Sequence, residues 1–211
     1  FGVTGDCPPL DEEMVEALES HRFDPLRHVY WRNHRMSFRS LGDLKRSLEF
    51  HSDQPHMIRK RDAEDHRTLE SLARMDAVVE RAKGPGRVRL LWDICQIPDF
   101  RKTMSESHAN LLAKIYFDLT DGQPCLETDW VANQVSRFDR TDGDIDTLVN
   151  RIAHIRTWTY ITHRADWVSD PVHWQAQTRA VEDRLSDALH DKLTQRFVDK
   201  RTRVLLRGLL K

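Results

Sequence analysis

The chain is short of the residues that punctuate β structure, with only 8 glycines and 8 prolines among its 211 residues. A β-sandwich or barrel needs a turn signal about every 8 to 12 residues, so this scarcity favours an all-α body. Cysteine is scarcer still. Cys7, Cys95 and Cys125 lie far apart with no C-x-x-C pair, which leaves neither a disulfide framework nor a cysteine-rich zinc site. Cys95, inside LLWDICQI, reads as a core thiol. No apolar run approaches the roughly 20 residues that span a bilayer. The opening FGVTGDCPPL lacks the basic and apolar regions of a signal peptide. A soluble intracellular protein with no membrane partner is therefore expected. A surplus of charge is also missing, since 33 Lys plus Arg against 34 Asp plus Glu give a net charge of −1. That excludes a whole-surface attraction to nucleic acid or anionic membrane, so any such binding must be local. With 39% hydrophobic residues, 32% charged residues and a mean hydropathy of −0.66, the chain is polar for a globular domain but lacks the signature of disorder.

What is present is helical periodicity. FGVTG reads as a short strand, followed by a helix over Asp11 to Arg22 with Met14, Val15 and Leu18 on one face and acids in its first turn. Pro25 opens a further predicted helix, Leu26 to about Arg32, and Phe38 to Leu48 reads as a short amphipathic helix. After a polar loop, Phe50 to Pro55, one helix is predicted from Asp62 to about Lys83 on the spacing of Leu69, Leu72, Ala73 and Val79. RVRLLWDICQI, Arg87 to Ile97, is the most apolar stretch and reads as a buried helix stopped by Pro98. Thr103 and Glu106 form a capping box for a helix over Ser105 to Leu119, closed by Asp121-Gly122. A short helix is expected over 128–137. The chain then ends in two long helices, Asp144 to Val168 and Pro171 to about Val198, joined tightly enough to make an antiparallel hairpin. Trp174, Val181, Leu185, Leu189 and Leu193 form the facing stripe of the second.

The chemistry-bearing motifs are mostly absent. Eleven histidines include no H-E-x-x-H, and their scatter offers no convergent metal set. RFDRTDGDID does not meet the calcium-loop pattern and reads as a solvated loop with a helix cap. No G-x-S-x-G elbow occurs, and no G-x-x-x-x-G-K-(S/T) or G-x-G-x-x-G phosphate loop, so no catalytic residue is assigned and ATP hydrolysis by residues 1–211 alone is not expected. Charge, by contrast, is segregated. Residues 1–20 hold six acids and no bases, whereas RFVDKRTRVLLRGLLK at the end holds six bases and one acid. Arginine outnumbers lysine 25 to 8, and arginine suits bidentate phosphate contact and base stacking, although basic residues also favour helix C-termini for electrostatic reasons.

Taken in order, FGVTG, the helix Asp11 to Arg22, the element Asp24-Pro25-Leu26-Arg27, the R-V-R of Arg87-Val88-Arg89 followed by LLWDICQIP, and the long pair Asp144 to Val198 resemble one arrangement. It is the C-terminal region of degradosome-type superfamily 2 DExH-box RNA helicases, the mitochondrial and bacterial group. In that family a short strand and helix close the second RecA-like domain. A D-P-(I/L)-R element, small helices, an R-V-R helix and a terminal bundle follow.

The resemblance implies an irregular all-α domain over 24–211 ending in a long antiparallel helix pair, with 1–23 a remnant of a RecA-like domain. It implies a role in enclosing single-stranded RNA, or DNA, beside RecA-like domains that use ATP and Mg2+ and lie before Phe1. The non-methionine start fits a piece of a larger chain. An exoribonuclease partner and a bacterial cytoplasmic or mitochondrial-matrix location would follow. Candidate RNA contacts are Arg27, Arg87 and Arg89, at family motif positions, and Arg156 and Arg164, expected eight residues apart on one face of a long helix. A different class of function, a helical protein-interaction module that touches no nucleic acid, is the competing expectation.

Overall fold

The computed structural model describes residues 12–22, 28–59, 63–101, 106–122 and 125–209, with side chains described through Val198. Among them the fold is mostly helical, with one pair of short strands. The expected strand FGVTG, the Asp24–Arg27 element, Arg27 itself and the Thr103 half of the capping box lie outside the described residues. The chain divides into two compact units, Phe1–His34 with Glu49–Lys60 and Arg35–Leu48 with Arg61–Lys211.

In the smaller unit, α1 (Glu12–Glu19) is ended by a reversal in which His21 takes the left-handed conformation, φ 52°. The Arg22 amide then donates back to the Ala17 carbonyl at 2.8 Å, which satisfies one of the carbonyls that a helix end leaves open. Where a helix was expected from Leu26 to Arg32, Val29–Trp31 forms strand β1, paired in parallel with β2 (Met57–Arg59). Val29 stands opposite Met57, and Trp31 opposite Arg59. The reason is partner-dependent. Val, Tyr and Trp suit a pleated surface, and the ladder that rewards them is supplied from residues far along the chain, through a crossover that no local periodicity reveals. Trp31 also packs against Phe50 at 6.2 Å between ring centres.

The larger unit holds the core. Helix α2 (Leu41–Glu49) buries Leu44 and Leu48. Ser40 precedes it, accepting from the Asp43 amide at 3.0 Å. The single helix expected over Asp62 to Lys83 is two, α3 (Glu64–Leu72) and α4 (Asp76–Arg81), separated by a turn in which Met75 is extended. A continuous helix would carry the stripe from Leu69 and Leu72 on to Val79. The break resets the phase, so Val78 is fully buried and Val79 is left exposed. Helix α5 (Pro85–Cys95) begins with proline at its first position, preceded by Gly84, and buries Val88, Leu91, Trp92, Ile94 and Cys95. This is the buried helix read from RVRLLWDICQI, and burial pushes the Cys95 thiol far up from its ordinary pKa.

Helix α6 (Glu106–Thr120) lies against α5, and α7 (Thr128–Phe138) against α8 (Ile145–Thr162). The loop before α8 is built by local chemistry. Asp144 accepts the Thr147 amide at 2.8 Å as N-cap, and Gly143 supplies φ 114°, where an added Cβ would stand 2.8 Å from the Thr147 methyl. Helix α8 stops at Thr162 rather than running to Val168. The turn that follows buries Trp167 and Val168, and the Trp167 carbonyl accepts from the Leu126 amide at 2.8 Å. A continued helix could not place both side chains in the core and reverse the chain. Asp170 then accepts from the His173 amide at 3.1 Å, and α9 (Pro171–Leu209) returns. Thr162 meets Thr178, and Arg156 meets Glu182, so lower numbers on α8 face higher ones on α9, as in an antiparallel hairpin. In that register the start of α8 falls near Leu193, which explains why Leu185 is sealed, Leu189 half-buried and Leu193 exposed. No helix among the described residues is long and apolar enough to cross a membrane.

Candidate nucleic-acid contacts and a polar cavity

The four described candidate arginines sit in three different settings. On α5, Val88 points into the core with no exposure, so its neighbours Arg87 and Arg89 flank the buried face. Arg87 is exposed, and its carbonyl accepts from the Tyr116 hydroxyl at 3.4 Å. The Arg89 guanidinium lies over the Phe38 ring at 4.6 Å and 3.7 Å from the Asp93 carboxylate. Its side chain is still 61% exposed, enough for a further contact. Arg156 is committed within the hairpin, donating to Glu182 at 2.8 Å. Arg164 is not on α8 at all, because the helix ends at Thr162. Its guanidinium rests over Tyr160 at 5.7 Å and over Trp167 at 5.3 Å, which pins the turn after α8. The pair expected on one helix face is therefore not formed: Arg156 holds an ion pair while its side chain stays 50% exposed, and Arg164 packs on two aromatic rings.

The RFDRTDGDID segment is held by arginines. Arg184 grips Asp139 with two hydrogen bonds of 3.0 and 2.7 Å, and Arg140 pairs with Asp142 in the same forked manner. Arg151 donates to the carbonyls of Arg140 and Asp142. The Arg140 bonds hold the Asp142 carboxyl below the usual range, and the Thr147 bonds do the same for Asp144. This is a clamped surface loop and helix cap. No group of three or more potential metal ligands occurs among the described residues.

A cavity of about 340 Å3 opens in the larger unit, lined by Asp99 and Arg101 from the turn after α5, Ser107 and His108 from α6, Gln134, Arg137 and Phe138 from α7, and His154, Thr157 and Trp158 from α8. Part of its lining is internally satisfied. Arg101 donates to Ser107 at 3.0 Å and lies 3.7 Å from Asp99. The His108 Nε2 is 3.2 Å from the Ile97 carbonyl, and the Thr157 hydroxyl donates to the Pro98 carbonyl at 3.2 Å. The His154 ring stacks on Phe138, 4.5 Å between centres and 10° from parallel. Burial, reinforced by the positive charge of Arg101, pushes the His154 pKa down to about 4, and burial also lowers that of His108. Both imidazoles are neutral at pH 7.

Sequence reasoning missed this cavity because its residues come from four segments with no mutual spacing, each bland by itself. His154 alone reads as a half-buried helix position, which it is. A second depression of about 350 Å3 lies along the hairpin, lined by Phe100, Val149, Ile152, Leu189 and Leu193 with Arg156 and His190. Comparisons with protein-family models, with curated proteins and with solved structures found no match for this chain.

Proposed function

We propose that residues 1–211 belong to the C-terminal region of a degradosome-type DExH-box RNA helicase and supply phosphate contacts to single-stranded RNA. The observation that carries this reading is the ordered run of motifs, with Arg87-Val88-Arg89 at its centre. The exposure of Arg87 and of much of Arg89, on either side of a buried Val88, supports it. Each of the two can meet a phosphate, on its own side of α5, while the helix stays anchored in the core. On this reading the ATP and Mg2+ chemistry belongs to RecA-like domains of the parent protein, and these residues bind and orient the strand. A nuclease that consumes the unwound strand is the partner that fits.

A salt titration of single-stranded RNA binding tests it. Each phosphate contact contributes a slope of about −0.7 in log K against log salt for single strands. Replacing Arg87 and Arg89 together by Gln is expected to flatten the slope by about 1.4 and to weaken binding at low salt. A salt-insensitive affinity in the parent chain would sink the proposal. The competing reading, a protein-docking module, is favoured by one observation: Leu193 and Phe197 are exposed along α9, at and past the register of the first turn of α8.

A further inference from the structure

We propose that the cavity between α6, α7 and α8 is a binding site for a phosphate oxyanion, held by Arg137 together with Gln134 and His154. The argument stands on the cavity and does not rest on the RNA reading. Its lining divides into used and unused polar groups. Arg101, Asp99, Ser107, His108 and Thr157 are engaged with one another or with carbonyls. Gln134, Arg137 and His154 make no hydrogen bond or ion pair among the described residues, although all three line the same opening.

The unused set has one chemical character. A primary amide, a guanidinium and a neutral imidazole can each donate, and Arg137 brings a full positive charge that has no ion-pair partner among the described residues. Asp99, the one carboxylate in the lining among the described residues, faces the Arg101 charge instead. Two guanidinium groups exclude a cation as the occupant. Arg137 is exposed and solvated, and an uncharged ligand would gain nothing from its charge. An oxyanion answers it, and charge-assisted bonds from arginine to phosphate are among the stronger ones.

The geometry suits an anion with several oxygens. Gln134 and Arg137, three residues apart, share one face of α7. His154 approaches from α8, and its stack on Phe138 fixes the ring plane. Donors from two helices can therefore meet different oxygens of one tetrahedral group. A space of about 340 Å3 is larger than inorganic phosphate and leaves room for the remainder of a phosphate ester against Trp158 and against Leu111 of α6, which also lines it. The shared chemistry is the phosphate group, whether it comes from a free phosphate compound or from an RNA backbone.

The test is calorimetric titration of the 211-residue chain with inorganic phosphate against a chloride background of constant ionic strength. Saturable binding is expected, weakened about tenfold or more in Arg137→Gln. His154→Phe, which keeps the aromatic stack, should weaken it less. Arg179→Gln, an exposed change on α9, should leave it unaltered. Absence of saturable binding, or equal losses in Arg137→Gln and Arg179→Gln, would overturn the proposal. Single-stranded RNA binding by Arg137→Gln identifies the source: a parallel loss assigns the site to backbone phosphate, and an unchanged affinity assigns it to a free phosphate compound. A parent chain that binds phosphate but no RNA would refute the helicase reading and leave this one standing.

Discussion

Helix α8 has two unlike sides. Towards α9 it presents a largely apolar seam, in which Ile152 on α8 and Val181 and Leu185 on α9 are almost completely buried. Its few polar groups are tied off locally, as where the Thr178 hydroxyl donates to the Trp174 carbonyl at 3.0 Å. Towards α6 and α7 the same helix presents His154 and Thr157 to a polar cavity in which several donors are unused. The difference shows how one helix can both stabilise a fold and offer chemistry. The seam stabilises because apolar area leaves water and the packing is dense. The cavity side forgoes part of that stabilisation and retains groups able to meet a ligand.

The seam should break first. Leu185→Ala removes a fully buried side chain and is expected to lower stability by about 2–5 kcal/mol, read from the midpoint of denaturant unfolding. Phosphate binding should survive wherever the variant is still folded, because Leu185 does not line the cavity. Joint loss of stability and of binding in the folded variant would show that the two sides of α8 are not separable.

Acid should act on the other side. A folded-state histidine held near 4, against 6.5 when unperturbed, contributes stability that is full above about 6.5 and is lost as pH falls towards 4, because the unfolded chain takes up the proton first. Lowering the pH through that window should destabilise the protein, and His154→Phe should remove part of the fall. His108, shifted in the same direction, should account for a remaining part. Denaturant titrations at a series of pH values measure both. A wild-type curve and a His154→Phe curve of the same shape would place His154 in a more open setting than its stack on Phe138 indicates.

The smallest effect belongs to the surface clamp. Arg184→Ala breaks the forked pair with Asp139, whose partners are 49% and 39% exposed, and is expected to cost less than about 1 kcal/mol. High salt should shrink the difference further. A larger loss would mean that the loop before α8 controls how the hairpin closes.

Legibility followed the range of the forces involved. The hairpin, the buried helix α5 and the N-cap at Asp144 were readable because periodicity, proline placement and capping act within a few residues. The break between α3 and α4 was not, since the stripe through Leu72 continues equally well to Val79, and only the shape of the core decides that Val78 goes inside. Arg164 was placed on a helix that ends two residues earlier, because the gain from burying Trp167 and Val168 in a turn is a tertiary quantity. The strand pair depended on a partner ladder, and the cavity on four segments meeting.

The amino-acid sequence by itself determined the helical class, the paired long helices and the positions of most helix starts, because those rest on local hydrogen bonding and on the spacing of apolar residues. Tertiary structure alone decided which arginines are occupied and which are free, and it alone gathered Gln134, Arg137 and His154 around one opening. A charged side chain carries no mark of its partner in the chain order, and that partner, chosen by the packing of helices, settles whether its charge holds the fold together or waits for a ligand.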